Sequence, residues 1–378
     1  MRHRAIAGAL IILAAGCEQP GSEGTVDVPV IELNGGTEFP ESFWRLGNVI
    51  ELDSTRVLAH DPGERLLYVV DFRLGTRMQT GSVGSGPLEY RFPGLLLAAA
   101  GVEPVYHDMG QRRLLYFSRE GVPSRTWRYV ADSSVPAASE ILPMASDSRG
   151  TVCGTPTARR RASTGESNDS VRRIGCVNAS TGTARDLFAL RASPGMMQTT
   201  RGDDGQLVLI IRVTDFLPGD VWTLLPDGRG VSLRDGDYRV HFVNLDGSES
   251  RGPPVPHEAI PVTAADRENA MATANTLARG QDGTGVRVVI QEPARFAETK
   301  PAYQDIMASP DSRLWVHKPY VPPDSIRNFD VLDDAGRLIA RVRLEPRERL
   351  VGLGHRRVYT VRADTDGLAW LKRHELPW

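Results

Sequence analysis

The sequence predicts an all-β protein whose sheets pack side by side in a ring. From Phe39 onward, short runs of β-branched and aromatic residues alternate with clusters of Gly, Asp, Pro and Ser, which is the pattern of strands joined by turns. Aspartyl-glycine pairs such as Asp227-Gly228 and Asp366-Gly367 favour tight hairpins within that pattern. A helical period is evident only from Ala264 to Ala278, which predicts one short helical insertion.

A recurring unit indicates the ring. Each copy has a strand that carries an aromatic residue, a short polar link, a second strand and a turn that ends in glycine; the copies begin at Arg65, Glu103, Asp311 and His355. Such sheets cannot bury both faces alone, and radial packing around an axis, as in a β-propeller, covers them. A β-sandwich is the competing architecture, but it does not require the same unit four times.

Thirteen segments have the length and composition of strands. They are Val49 to Leu52, Leu66 to Asp71, Pro104 to Tyr106, Leu114 to Phe117, Leu207 to Val213, Val221 to Leu225, Arg239 to Val243, Val286 to Gln291, Leu314 to His317, Asn328 to Leu332, Leu338 to Leu344, Arg357 to Val361 and Leu368 to Leu371.

Two motifs resemble those of a family of bacterial six-bladed β-propellers related to NHL-repeat and TolB-like propellers. The stretch from Gly84 to Tyr90 (GSGPLEY) is similar to that family's Gly-x-Gly-Pro-Gly-Glu-Phe signature, with Leu88 where glycine is usual, and Asp237 to Gly247 is similar to its central strand pair. The resemblance runs from about Phe43 to Leu376 and implies six blades. It implies no catalytic residue, because the family has no agreed activity.

The length fits six blades only if some loops are long. The 378 residues less the 16 before Cys17 leave 362, or about 60 per blade, against roughly 40 to 45 in compact propeller repeats. Two long loops are visible, from Thr155 to Arg173 and from Pro253 to about Gly285, and the second contains the helix candidate.

The N-terminus has the order of an export signal. Arg2 and Arg4 precede an apolar stretch from Ala5 to Ala15, and Gly16 and Cys17 follow. The 11 apolar residues are fewer than the roughly 20 that a membrane-spanning helix needs. The segment therefore predicts a cleaved signal peptide.

The end of this segment, Leu13-Ala14-Ala15-Gly16-Cys17, resembles the lipobox of bacterial lipoproteins, although the leucine lies one position further back than usual. The resemblance implies cleavage before Cys17 and acylation of that residue, and Glu18 implies sorting to the outer membrane. Two or more acyl chains would hold the protein stably at a membrane. The alternative is an ordinary secretory peptide cut near Ala15.

These features divide the chain into three parts. We expect a lipoprotein signal peptide at residues 1–16, a lipidated flexible tether rich in Gly, Pro, Glu and Asp at residues 17–38, and a propeller domain at residues 39–378. The expected location is the cell envelope, with the lipid in the outer membrane and the domain facing the periplasm or the cell surface.

Cys153 and Cys176 remain once Cys17 is assigned to lipid. Both lie in short apolar segments separated by a polar loop. If these segments are neighbouring antiparallel strands, an oxidising compartment allows a disulfide worth roughly 3 kcal/mol in the chain-entropy model. Two buried free thiols are the alternative, and zinc is disfavoured because no CxxC or close histidine pair accompanies them.

Four residues are candidates for a channel or metal site. We expect Asp71 and Asp108 at the ends of equivalent strands, where an aspartate near the axis binds a metal or acts as a base, although turn capping is the commoner role. His107 and His317 belong to a set of histidines scattered over several blades, and a propeller can bring distant residues together. No close metal-ligand spacing supports such a site.

Composition and motifs narrow the function. Lys+Arg 45 against Asp+Glu 47 gives a formal charge of −2, so nucleic acid is not an expected partner. No nucleophile elbow, Walker loop or HExxH motif is present, and no cofactor is predicted.

Two functions from different classes remain. The preferred one is a non-enzymatic module that binds or scaffolds an envelope protein, peptide or glycan; the alternative is a lyase or hydrolase that uses a divalent metal with axial His and Asp ligands. Six tryptophans offer a face for carbohydrate stacking, although Trp222, Trp315 and Trp370 fall inside strand patterns, where core packing is favoured.

Overall fold

The computed structural model describes the chain from residue 27 to residue 378 with internal gaps, and the described residues form 28 strands and one helix. The described ranges are 27–91, 94–97, 103–128, 141–156, 171–191, 197–201, 207–213, 216–217, 219–234, 236–279, 287–291, 294–319 and 326–378.

Six antiparallel sheets follow one another along the chain, and we number them as blades 1 to 6. Blade 1 contains β3 (Val49–Glu51), β4 (Arg56–Asp61), β5 (Leu66–Asp71) and β6 (Thr76–Gln79); blade 2 contains β7 (Gly94–Leu97), β8 (Val105–Asp108), β9 (Arg113–Phe117) and β10 (Pro123–Arg128); blade 3 contains β11 (Ile141–Ser146), β12 (Thr151–Pro156), β13 (Val171–Asn178) and β14 (Ala184–Arg191); blade 4 contains β17 (Val221–Leu224), β18 (Gly230–Arg234), β19 (Asp237–Val243) and β20 (Glu249–Arg251); blade 5 contains β22 (Asp305–Ala308), β23 (Leu314–His317), β24 (Asn328–Leu332) and β25 (Leu338–Leu344); blade 6 contains β26 (Glu348–Gly354), β27 (Arg357–Ala363) and β28 (Ala369–Glu375).

The blades form a closed ring. The first strand of each blade is innermost, and such strands contact their neighbours at β7 and β11, β11 and β17, β17 and β22, and β26 and β3. Six separate clusters of buried apolar side chains lie between successive blades, from the pair of blades 1 and 2 round to the pair of blades 6 and 1. Burying one large apolar side chain stabilises a fold by about 1.5 to 3 kcal/mol, so every interface contributes. The predicted all-β, six-bladed propeller is confirmed, and the sandwich is excluded.

The N-terminal segment completes two blades. Strand β1 (Val30–Leu33) adds a fifth, parallel strand to blade 5 beside β25, and β2 (Thr37–Glu38) supplies the outer strand of blade 6 beside β28. Residues 30–33 and 37–38 of the predicted tether (residues 17–38) are therefore strands rather than flexible chain, because their backbone hydrogen bonds are made within the sheets. Residues 1–26, with the predicted signal peptide and Cys17, lie outside the described residues.

Two insertions form a small unit outside the ring. Strands β15 (Met197–Arg201) and β16 (Leu207–Arg212) follow blade 3, whereas helix α1 (Ala264–Arg279) and strand β21 (Arg287–Gln291) follow blade 4. Strand β21 pairs with β16 in parallel, and α1 packs on both strands. The helix prediction is confirmed. The two predicted strands in this region exist, but they belong to this unit rather than to a blade.

A capping box and a buried ion pair fix α1. The Thr263 hydroxyl accepts a hydrogen bond from the Asp266 backbone N–H at 3.2 Å, and Asp266 accepts one from the Thr263 backbone N–H at 2.9 Å. The Lys300 ammonium lies 2.8 Å from the Asp266 carboxylate, and both side chains are buried. Because Lys300 precedes β22, this pair joins the helix to the entry of blade 5.

The predicted disulfide between Cys153 and Cys176 is present. The two residues face each other in the register of β12 and β13, with Cα atoms 4.0 Å apart. Both are fully buried in the cluster between blades 3 and 4. No helix among the described residues is long and apolar enough to cross a membrane.

Candidate functional site

The strand directions give the ring two distinct faces. The upper face carries the starts of the innermost strands and the turns between the second and third strands, whereas the lower face carries the turns after the innermost strands. A cavity of about 450 Å³ opens on the upper face and one of about 340 Å³ on the lower face. Both volumes lie in the range of small-molecule sites.

The upper cavity lies between blades 6 and 1. Trp44 and Arg45 come from the connection between β2 and β3, and Arg347 and Arg349 come from the entry to β26. The turn between β27 and β28, which includes Asp366, forms the remaining wall. The ring closure by β2 places this connection beside blade 6, so residues about 300 positions apart share one cavity.

Arg349 occupies the deepest of the cationic positions. Its guanidinium donates hydrogen bonds to the backbone carbonyls of Leu46 and of Gly47, the latter at 3.1 Å. Burial lowers the pKa of Arg349, and the charges of Arg327 and Arg45 lower it further. The protein thus holds several like charges together, which costs stability unless an anion joins them.

No carboxylate neutralises the arginines of this cavity within the described part of the chain. Arg45 and Arg347 are exposed, Arg349 is half-buried, and none of the three forms an ion pair with a described carboxylate. Asp366 lines the same cavity without pairing to them. An unneutralised cluster of guanidinium groups is a ready receptor for an anionic group.

Arg347 sits in a turn that normally takes glycine. The turn from Glu345 to Glu348 is closed by a hydrogen bond from the Glu348 N–H to the Glu345 carbonyl at 3.1 Å, and Arg347 is its third residue with φ 67°. A positive φ at this position favours glycine. Arg65, Arg112 and Arg356 adopt the same conformation in other turns, so the conformation alone does not identify a functional residue.

Trp44 supplies the apolar side of the cavity. It is 66% exposed, the highest value among the six tryptophans, whereas Trp222 and Trp315 are buried as predicted from their strand patterns. Gly63 lies directly beneath it, since a Cβ at that position would lie 2.0 Å from Trp44 Cδ1. The absence of a side chain at Gly63 therefore allows Trp44 to rest against blade 1.

The lower cavity has carboxylates that are already satisfied. Glu51 accepts hydrogen bonds from the Tyr359 hydroxyl at 2.8 Å and the His355 N–H at 3.0 Å, and Arg357 lies 3.5 Å away. Asp53 pairs with Arg56 at 2.7 Å and caps its own turn, and its pKa is about 2 because these bonds outweigh its partial burial. This cavity lacks the unneutralised cluster of the upper one.

A second set of charged residues on the upper face joins blades 3 to 5, and it consists of Arg172, Asp220 and Asp305. Arg172 donates a hydrogen bond to the Asp220 carbonyl at 2.7 Å. Burial raises the pKa of Asp305, and the charge of Arg172 offsets part of that rise. Burial also lowers the pKa of His317 to about 4, with a contribution from Arg327. His317 is therefore neutral at pH 7.

The predicted channel residues do not come together. Asp71 ends β5, the third strand of blade 1, on the lower face, whereas Asp108 ends β8, the second strand of blade 2, on the upper face. The expectation that they end equivalent strands is thus wrong; Asp61 is the counterpart of Asp108. His107 is buried in blade 2, and His317 lies in blade 5 on the opposite side of the ring.

Both aspartates cap turns. The Asp71 carboxylate accepts hydrogen bonds from the backbone N–H groups of Arg73 at 2.8 Å and Leu74 at 3.0 Å. Asp108 accepts one from the Gln111 N–H at 2.9 Å and lies 3.4 Å from Arg113 Nε. Among the described residues, no group of three or more His, Cys, Asp or Glu side chains could hold a metal ion. The metal-enzyme alternative stays a prediction, and metal analysis of protein purified without chelator tests it.

The signature-like stretch forms a compact loop at the entry to blade 2. Glu89 accepts a hydrogen bond from the Gly86 N–H at 2.6 Å, and Tyr90 is buried with its hydroxyl accepting from the Leu67 N–H at 3.1 Å. Leu88, which replaces the usual glycine, does not have a positive φ. The turn therefore tolerates a side chain at that position.

Comparisons with known proteins gave solved structures of low sequence identity. A scan against protein-family models and a search of curated proteins gave no match. A protein from Bacteroides fragilis described as exported is 10% identical, with a TM-score of 0.45 over 92% of this chain and 98% of its own. A DUF4221 family member from Bacteroides vulgatus is 9% identical, with a TM-score of 0.44 over 91% and 95%.

TolB from Acinetobacter baumannii is 11% identical, with a TM-score of 0.37 over 87% of this chain and 66% of its own. Identity at this level reflects overall shape alone, so the fold is assigned from the sheets and inter-blade clusters of the chain itself. On that basis, the chain is a six-bladed β-propeller, as the resemblance to NHL-repeat and TolB-like propellers implied.

Proposed function

We propose that this protein is a lipid-anchored propeller of the bacterial cell envelope that binds or scaffolds a protein, peptide or glycan, with the upper cavity as its ligand site. The observation that carries the proposal is the group of Arg45, Arg347 and Arg349 around the exposed Trp44, with no carboxylate partner in the described chain. A cluster of this kind opposes folding by repulsion, and an anionic ligand would remove that cost.

The envelope location is supported by the sequence and by the disulfide. Arg2 and Arg4, the apolar stretch and Cys17 form the export and lipidation pattern described above. The bond between Cys153 and Cys176 fits an oxidising compartment such as the periplasm. Both features agree with a domain displayed outside the cytoplasm.

The anchor is tested by mass and fractionation. Protein extracted from membranes should lack residues 1–16 and carry acyl groups on Cys17, and a Cys17→Ser variant should remain as an unlipidated precursor. Membrane retention that is unchanged in this variant would refute the lipid anchor while leaving the ligand site untouched.

The ligand site is tested by thermal stabilisation with a panel of envelope peptides and glycans. A compound bound at 100 times its dissociation constant should stabilise the fold by about 2.7 kcal/mol. Arg45→Gln should weaken that effect, whereas Arg119→Gln should not, since Arg119 is an exposed arginine of the lower cavity. Equal loss in both variants would contradict the assignment of the upper cavity.

A further inference from the structure

We propose that the upper cavity binds hexuronate residues of an acidic glycan, that is, six-membered sugar rings that carry a carboxylate. This inference rests on the proposed function, because it names the ligand class of the same cavity. It requires a carboxylate receptor, an apolar surface for a sugar ring and an acceptor for hydroxyl groups, and the cavity contains all three.

The carboxylate receptor is the arginine group. Arg349 is oriented by its bonds to the backbone carbonyls of Leu46 and Gly47, which leaves its charge without an anionic partner among the described residues. Arg45 and Arg347 line the same cavity. Guanidinium groups bind carboxylates through two parallel hydrogen bonds, so this set suits a ligand with one or more carboxylates.

The apolar surface is Trp44. Its indole is exposed at the edge of the cavity and is supported from behind by Gly63. An exposed indole offers a flat apolar surface, and the C–H face of a pyranose ring is flat and apolar enough to pack on it. A purely ionic ligand such as inorganic phosphate would leave this surface uncovered.

Asp366 favours a ligand that also carries hydroxyl groups over a phosphate. Its side chain lines the cavity and makes no described ion pair with the arginines. A doubly charged phosphate would be repelled by this carboxylate, whereas sugar hydroxyls can donate hydrogen bonds to it. The volume of about 450 Å³ accommodates a short saccharide rather than a folded protein surface.

The chain provides a matched pair of variants. Arg347 and Arg112 are both exposed, both have a positive φ (67° and 53°) and both lie in turns on the upper face, but only Arg347 lines the cavity. Glycine is the preferred residue in that backbone conformation. Arg347→Gly and Arg112→Gly should therefore both fold with unchanged or slightly raised thermal midpoints.

The experiment titrates the full chain with trigalacturonate, with galactotriose as the probe that lacks carboxylates, and with hexaglutamate. The fluorescence difference between the parent and a Trp44→Phe variant isolates the Trp44 signal. We expect trigalacturonate to shift the Trp44 emission to shorter wavelength. Arg347→Gly should bind about tenfold more weakly, the loss expected for one charge-assisted hydrogen bond, and Arg112→Gly should bind as the parent does.

Three results would overturn the inference. Equal binding of galactotriose would show that carboxylates are not recognised. Binding of hexaglutamate at Trp44 without binding of trigalacturonate would assign the cavity to acidic peptides, and the proposed function would survive. If trigalacturonate does not change the Trp44 emission but the panel of envelope compounds yields a ligand of this cavity, hexuronates alone are rejected. If the panel yields no ligand of this cavity, the proposed function is rejected as well.

Discussion

Reduction of the bond between Cys153 and Cys176 should destabilise the propeller by about 3 kcal/mol. The two cysteines are 23 positions apart, and closing a loop of that length lowers the entropy of the unfolded chain by an amount worth about 3 kcal/mol at 25 °C. The unfolding entropy is about 2.1 cal/mol/K per residue, so for a domain of roughly 350 residues a loss of about 3 kcal/mol lowers Tm by about 4 °C.

Urea unfolding with and without a phosphine reductant measures the effect, and thiol titration confirms that the bond is open. Reduction changes the unfolded chain without removing side-chain volume, which matters because Cys153 and Cys176 are fully buried between blades 3 and 4. A variant with Cys153→Ala and Cys176→Ala should be less stable than the oxidised protein and insensitive to reductant. Superimposable curves for oxidised and reduced parent protein would refute the loop-closure reasoning.

Three further predictions concern the upper face and acid stability. Gly63→Ala should displace Trp44, because the added Cβ would lie 2.0 Å from Trp44 Cδ1; weaker ligand binding with little loss of Tm is expected, and unchanged Trp44 emission would contradict it. Arg327→Gln removes a charge that opposes Arg349, so at low salt it should raise the free energy of unfolding by about 0.5 kcal/mol and raise Tm slightly. The gain should vanish at 1 M salt, and a gain that is independent of salt would exclude a charge effect. His60 is buried and burial lowers its pKa to about 4, so between pH 6.5 and 4 the unfolded state binds more protons than the folded state. Acidification to pH 5 should therefore lower the free energy of unfolding by about 2 kcal/mol through this residue. The urea midpoint should depend less steeply on pH in His60→Gln than in the parent, and an identical slope would contradict the role of His60.

The middle strands of the blades could be predicted from sequence because both of their faces are buried. Strand β9 (Arg113–Phe117) is buried along its whole length and β5 is buried nearly throughout, so their sequences, RLLYF and LLYVVD, contain uninterrupted apolar runs. The outermost strands β6 and β20 are exposed and read Thr-Arg-Met-Gln and Glu-Ser-Arg. Such segments carry no hydrophobic pattern, and they were missed for that reason.

Ring closure could not be predicted because the pairing is remote. Val30 pairs with Arg341, and Thr37 pairs with Arg373, across more than 300 positions. The surrounding Gly and Pro residues favoured a tether, and the two strands are too short to oppose that reading on composition. The partner strands, rather than local propensity, make residues 30–33 and 37–38 extended.

The cysteine pair and the cavity show the same contrast. The disulfide followed from two short apolar segments close in sequence, so local reasoning was sufficient. The cavity unites Trp44 and Arg45 with Arg347 and Arg349, and no sequence motif joins these positions. The sequence did indicate that some of the six tryptophans could stack on a carbohydrate, but it could not show that Trp44 is the exposed one.

Hydrogen exchange on a ligand complex is the most direct test of the claim that the upper cavity is the binding site. With trigalacturonate, or any ligand that the thermal panel identifies, backbone amides at residues 44–47 and 361–369 should gain protection, and those at 52–54 and 353–355 around the lower cavity should not. Protection confined to the lower-cavity segments, or spread evenly over all six blades, would contradict the account.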